Sequence, residues 1–343
     1  MAGNAPVVNS MKGESTQIMW QTEGKMANYG DGGSGTTQWF GYGDAMHTPD
    51  EDLGRKVIRF TGGGSRNIDK FEIQASQEFT GTVRIPQVQR FTLLPFAMGE
   101  YAIAATGSPV FTHTFSESGN NLASFAIEDA QDIELATGSS INRAYKGVMI
   151  NRLAIRGREN EPIECEFDYV AQSRDLTGAT KTSVTAHTDI PYLWDDVLIR
   201  VTGSVNGVPV VDAKIPTLRE FEWEINNNFE VHHYARGGSR FISKPMLGNR
   251  DYKFTSMFTA TAGSAYNWYK NFFEDGDEIL KIDLFLFRTS GTDMLHIMMS
   301  GCHMTDCDQP GKMEGTMEQS WEVVPTSCAI TETNGIGSYA WIA

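Results

Sequence analysis

The chain has 343 residues, 40% of them hydrophobic and 21% charged, a globular balance with room for two cores of ordinary size that excludes a disordered chain. Its 43 acidic against 28 basic side chains leave a net charge of −15. That excludes a protein built to grip nucleic acid, because affinity for phosphates comes from Lys and Arg, but it suits one that touches DNA and releases it.

Residues 1–35 read as an arm: polar, Gly-rich and without apolar periodicity, ending in Gly30-Asp31-Gly32-Gly33-Ser34-Gly35. That ending matches G-x-G-x-x-G, yet no apolar strand precedes it and no helix follows, so it reads as a loop rather than a dinucleotide turn. Met1 to Ser15 lacks the apolar core of a signal peptide, and no later stretch is long enough to span a bilayer, so the chain is expected to be made in the cytoplasm. From residue 36 the apolar period is mostly two. Phe71-Glu72-Ile73-Gln74 alternates as a half-buried strand does. Val88, Phe91 and Leu94 then share one helical face, with Gly99 as terminator and Pro95 expected to shorten the helix.

Alternation resumes at Glu164-Cys165-Glu166-Phe167-Asp168-Tyr169. Residues 173–194, rich in Thr, Ser and Ala, read as an ordered linker. Glu220-Phe221-Glu222-Trp223-Glu224-Ile225 is the next strand. A second helix is expected from an N-cap at Ser264, carrying Tyr266, Tyr269, Phe272 and Phe273 before Gly276. Lys281-Ile282-Asp283-Leu284-Phe285-Leu286-Phe287 starts by alternating and ends continuously apolar, which predicts an end covered on both faces. Residues 329–343 form a tail whose Tyr339-Ala340-Trp341-Ile342 terminus is expected to dock.

The chain repeats itself. Gly63-Gly64-Ser65-Arg66-Asn67-Ile68-Asp69-Lys70 returns from Gly237 as Gly-Gly-Ser-Arg-Phe-Ile-Ser-Lys, and Phe79-Thr80-Gly81 answers Phe254-Thr255-Ser256. Glu164-Cys165-Glu166-Phe167-Asp168-Tyr169-Val170 then lines up with Glu318-Gln319-Ser320-Trp321-Glu322-Val323-Val324 at a smaller shift. The first copy must therefore carry about 20 extra residues in its middle. The chain divides into a first copy over residues 36–172 and a second over 195–328. The fold class is mainly β: two tandem β-sandwich or open-barrel domains, each with about one helix.

No catalytic, cofactor or metal site emerges. The repeated Gly-Gly-Ser-Arg could cradle an anion but reads better as a tight turn between strands. His232 and His233 point to opposite faces of a strand and would not chelate one metal. Cys302, His303 and Cys307 are the only local thiol cluster; together with Cys165 and Cys328 they fit free thiols in a reducing compartment better than zinc or disulfides.

Three stretches of the first copy, Ser124-Phe125-Ala126-Ile127-Glu128, Tyr145-Lys146-Gly147-Val148-Met149-Ile150-Asn151-Arg152-Leu153 and 163–170, resemble the tail tube proteins of long-tailed bacterial and archaeal viruses. So do residues 218–229 with Glu224-Ile225-Asn226-Asn227, the turn at Gly237-Gly238, the Ser264 helix and the strand at Trp321. The resemblance implies the form with two fused tube domains: trimeric, pseudo-hexameric rings stacked into a channel for genome passage. It implies a non-enzymatic virion component assembled in the host cytoplasm. Implied partners are other copies of itself, other tail proteins (tape measure, terminator, distal tail or baseplate) and passing viral DNA, with no membrane insertion. Another ring-forming virion part (terminator, baseplate hub or injection-system tube) and a carbohydrate-binding adhesin are the alternatives. Glu164, Glu166, Glu318 and Glu322 are candidate lumen-facing acids, expected to face alike, and residues 301–343 hold six acids against Lys312 alone. The arm, with Met1, Gly30, Gly32 and Gly35, is the candidate inter-ring contact.

Overall fold

The computed structural model describes residues 17–22, 37–39, 47–53, 55–58, 70–74, 77–107, 110–118, 122–132, 140–178, 189–205, 208–215, 217–233, 241–259, 279–288, 293–308 and 318–335. The expected helix at Ser264, both Gly-Gly-Ser-Arg turns, residues 336–343 of the tail and Met1, Gly30, Gly32 and Gly35 lie outside these. Every pairing between described strands is antiparallel.

The strands, in chain order, are β1 (Gln17–Thr22), β2 (Thr37–Trp39), β3 (His47–Asp52), β4 (Arg55–Ile58), β5 (Lys70–Gln74), β6 (Glu78–Ile85), β7 (Gly99–Gly107), β8 (Val110–Glu117), β9 (Phe125–Asp132) and β10 (Ser140–Arg158). They continue as β11 (Glu164–Ala171), β12 (Ser173–Gly178), β13 (Val197–Val205), β14 (Val208–Lys214), β15 (Leu218–Asn226), β16 (Asp251–Thr259), β17 (Ile279–Phe287), β18 (Met294–Asp308) and β19 (Glu318–Asn334). The one α-helix among the described residues, α1 (Leu94–Met98), starts later than expected: Val88 and Phe91 lie in the chain before it, Pro95 sits in its first turn, where no N–H is needed, and Gly99, at φ 106°, ends it by donating its N–H to Pro95 O. All five helix residues are buried, and Phe96 packs against Phe125 with ring centroids 4.7 Å apart.

Eight strands form one continuous sheet in the order β3–β6–β11–β10–β15–β16–β19–β18. Alternation decides its two faces. Phe79, Val83, Phe167, Tyr169, Leu153, Ile155, Phe221, Trp223, Phe254 and Trp321 point into the core, and their polar neighbours point out. Behind it lie β9, β12 and the first half of β10. Phe125 meets Phe167 at 6.2 Å and Tyr145 meets Tyr169 at 6.0 Å across the two layers.

The duplication is visible residue by residue. β10 and β18 each carry a glycine at positive φ, Gly147 (64°) and Gly301 (58°), a shift of 154 residues. Four residues on, each has a register break, between Ile150 and Arg152 and between Met304 and Asp306. Such bulges bend a strand, and they lie where β10 and β18 leave one ladder for the next. The partners keep the shift: β11 and β12 correspond to the first and second halves of β19.

The first copy's extra residues are the hairpin β7–β8, inserted between α1 and β9. It pairs through β8 with the second half of β19, so the insertion joins the two copies. The sequence match at Phe79 is out by two residues. Tyr169 opposes Gly81 while its counterpart Val323 opposes Phe254, so Gly81 and Phe254 hold the same place. Two residues preserve the face, which is why the match was still informative.

Within the segment read as an arm, β1 pairs with β9 and β2, just as β13 pairs with β17 and β14. Ser173–Gly178, inside the segment read as a linker, is strand β12, and β19 runs on past Cys328 to Asn334. The apolar end of β17 differs from expectation: Phe287 is 40% exposed. It stacks on Phe285 (5.4 Å), which stacks on His296 (4.2 Å) with Arg200 5.6 Å above the ring, so an aromatic ladder rather than another layer covers that face.

Gly157 lies where a Cβ would sit 2.4 Å from Phe221 Cε1 and 2.9 Å from Ile163 Cδ1. Gly157→Ala is expected to destabilise the fold by about 1–3 kcal/mol, read as a lower thermal midpoint. Burial raises the Cys165 and Cys302 thiols from an ordinary 9.0 to about 12. The folded chain holds those protons where the unfolded chain releases them, so stability present below pH 9 should fall as pH climbs from 9 toward 12. Denaturant titrations across that range, with Cys165→Ala and Cys302→Ala as controls, measure it.

Candidate functional site

The outward face of the eight-strand sheet carries a dense set of acids. β11 contributes Glu164, Glu166 and Asp168, β15 Glu220, Glu222 and Glu224, and β19 Glu318 and Glu322. Asp50 and Asp52 on β3, and Asp306 and Asp308 on β18, complete it at the two ends. Glu164, Glu166, Glu318 and Glu322 therefore do face alike, on the side away from the core.

The cations are concentrated at the middle. Arg152, Arg156 and Arg158 alternate along β10, beside the glutamates of β15. Arg152 reaches four carboxylates: Glu224 at 2.8 Å, Glu166 and Glu222 at 3.1 Å and Asp168 at 3.5 Å. Arg156 bridges Glu222 (3.0 Å) and Glu166 (3.2 Å), and Arg158 meets Glu220 at 3.3 Å. Burial alone would lower the pKa of Arg152, yet hydrogen bonds and charge from Glu224 and Glu166 and the charge of Asp168 raise it above the usual arginine value. Toward the flanks, Arg84 holds Glu164 at 2.6 Å, Arg219 holds Glu318 at 2.9 Å and Lys253 holds Glu322 at 2.6 Å. The arginines were missed in the sequence, although Arg152, Arg156 and Arg158 on one face of one strand and Glu at every second position in another were a signal for adjacent strands.

This central joint lies between the copies, and backbone groups lock its end. Asn227, buried, donates to Ile150 O (2.9 Å) and Ala97 O (3.3 Å) and accepts from Arg250 Nε (2.8 Å), while Phe229 N donates to Asn151 Oδ1 (2.8 Å). At its two ends the sheet stops. Among the described residues, β3 pairs only with β6, and residues 303–308 of β18 pair only with β19.

The groups weighed for metal chemistry do not converge. Cys302 and Cys307 are buried while His303 is exposed, and the described residues hold no group of three or more ligand-type side chains able to hold a metal. His232 faces Glu230 (3.6 Å) and His233 faces Glu78 (3.8 Å), in separate directions. Among the described residues no helix is long and apolar enough to cross a membrane.

A mainly antiparallel β protein with a charged sheet face and, among the described residues, two sheet ends without a further strand has the features of a structural, self-pairing subunit. The family described as phage tail tube protein matches residues 42–320, and the chain belongs to that family: it is a structural tail tube subunit of a virion tail. Among solved structures, the chain is similar to one from the virion of a native gene transfer agent particle, with 12% identity over 39% of this chain and 94% of that one, and a TM-score of 0.30. It is similar to the SPP1 tail tube, with 12% identity over 41% of this chain and 78% of that one, TM-score 0.32. It is also similar to the anti-feeding prophage tube-terminating cap, with 16% identity over 43% and 95%, TM-score 0.29. No curated protein matches the chain.

Replacing Arg152 with Ala takes the arginine from Glu224 and Asp168 and leaves Glu166 and Glu222 with Arg156 alone. The loss should be about 2 kcal/mol in unfolding free energy at low ionic strength and should shrink in high salt, as measured by denaturant titration.

Proposed function

We propose that three copies of this chain close into a pseudo-hexameric ring, that rings stack into a tube, and that the acidic sheet face lines its channel. One observation carries the reading: two four-strand halves already join edge to edge inside the chain, and among the described residues the matching edges at either end have no further strand. Repeating that joint head to tail gives a closed ring when the rotation closes, and closure removes the free edges. The core side of the sheet is filled by Phe167, Trp223 and Phe254, so the acidic side is the one left to face a channel.

A wall of Glu164, Glu166, Glu318 and Glu322 repels phosphates and lets DNA slide. The segments before β1 and between β1 and β2, which include Met1, Gly30, Gly32 and Gly35, are the proposed reach to the next ring. Tape-measure, terminator and distal tail or baseplate proteins are the proposed neighbours at the tube ends. No catalytic role or cofactor is proposed. The adhesin alternative loses its basis, since Trp223, Trp321 and most of the large aromatic side chains described are buried.

Negative-stain microscopy of the purified chain is expected to show rings and stacked tubes. Isolated rings that never stack would favour a terminator or hub, and monomers at all concentrations would overturn the reading. Changing Glu164, Glu318 and Glu322, which lie outside the arginine joint, to Lys should leave tubes intact and impair DNA ejection. Each added phosphate contact steepens salt-dependent binding, multiplied over the stacked rings. Ejection unchanged from wild type, measured on particles that assemble normally, would place these acids away from the channel. Deleting residues 1–16 spares β1 and should abolish stacking while keeping the fold; long tubes from that truncation would overturn the role of the segment before β1.

A further inference from the structure

We propose that β3 of one copy pairs with residues 303–308 of β18 of the next in a defined register, and that the carboxylates this brings together make ring closure depend on charge screening. The inference rests on the ring reading above and specifies its joint.

The register comes from the internal repeat. β10 corresponds to β18 through the shared glycine and bulge, Gly147 with Gly301 and the break before Arg152 with the break before Asp306. β15 corresponds to β3, because each flanks the equivalent strand, β16 or β6, on the same side. Inside the chain Arg152 opposes Asn226 and Ala154 opposes Glu224. Carried to the free ends, the same register sets Asp306 against Asp52 and Asp308 against Asp50. Cys307 then lies beside Glu51 on the core side, where Glu51 already accepts hydrogen bonds from Tyr145 (2.7 Å) and Arg174.

The two joints have the same geometry and opposite electrostatics. Asp306 stands where Arg152 stands in the internal joint, and of the four acids held there the seam keeps two, Asp50 in place of Glu224 and Glu322 in place of Asp168, with Thr48 and Ser320 in place of Glu222 and Glu166. Among the described residues no Arg or Lys forms an ion pair with Asp50, Asp306 or Asp308. The neighbouring charges do not fill the gap: Glu78 beside β3 faces His233 at 3.8 Å, while Lys253 and Arg219 are held by Glu322 and Glu318. Like charges directly opposite on paired strands destabilise the pairing, and salt relieves them. Free subunits therefore resist closing on themselves at low ionic strength, and the internal joint, neutralised by arginine, stays formed.

A charge-reversal cycle tests this by sedimentation and electron microscopy of the full chain across a salt series. Asp308→Arg alone, or Asp50→Arg alone, should lower the concentration needed for rings or tubes about tenfold at low salt and remove most of the salt dependence. The double variant, with arginine against arginine, should return to the wild-type level. A double variant that adds the two single effects overturns the register, and single variants that assemble like wild type overturn the seam. In either case wild-type rings leave the ring reading intact, whereas a wild-type chain monomeric at every salt concentration overturns both. Thermal unfolding of the variants checks the fold. Asp50→Cys with Asp308→Cys, which should cross-link between chains under oxidation, reads the register independently of charge; absence of that cross-link in assembled rings counts against it.

Discussion

The structure depends on one joint: the pairing of an arginine strand with a glutamate strand at the boundary between the two copies. Below the sheet, Leu153, Ile155 and Gly157 meet Ile225, Trp223 and Phe221 in the core. Above it, Arg152 and Arg156 are shared among Glu166, Glu222, Glu224 and Asp168. Lysine could not substitute, because one planar guanidinium with five fixed donors serves several carboxylates from a single position. Without this joint a mainly acidic sheet face would repel itself at its centre, and the eight strands would fall into two separate sheets of four.

Duplication alone would have produced two equal modules. The inserted hairpin β7–β8 breaks that equality by adding its own strand to the second copy's β19. The added ladder is fixed by a buried polar chain in which His113 Nε2 meets Asn334 Oδ1 at 3.0 Å and His113 Nδ1 meets Tyr101 OH at 2.8 Å. A fully buried imidazole is tolerated only because both ring nitrogens are engaged. The two copies are thus tied twice, once through the outward-facing sheet and once through the insertion.

Charge is distributed by position in the sheet rather than uniformly. It is compensated at the internal joint, partly compensated on the flanks by Arg84, Arg219 and Lys253, and, among the described residues, not paired with Arg or Lys at Asp50, Asp306 and Asp308.

The sequence by itself determined the β class, the alternation of β11, β15 and the start of β17, a short helix ended by Gly99, the duplication, and the size of the first copy's insertion. Each of these is a local or periodic signal, carried by neighbours a few residues apart or by direct self-similarity. It also determined that Glu164 and Glu318 face alike, because matched positions on matched strands share a parity. Tertiary structure alone decided which strands are neighbours. That β1, inside a polar Gly-rich stretch, joins β9, that the insertion docks on the other copy, and that Arg152 meets Glu224 are all pairings across long separations. Backbone hydrogen bonds between strands carry no residue code, so register follows only once the core face of every strand has been buried together.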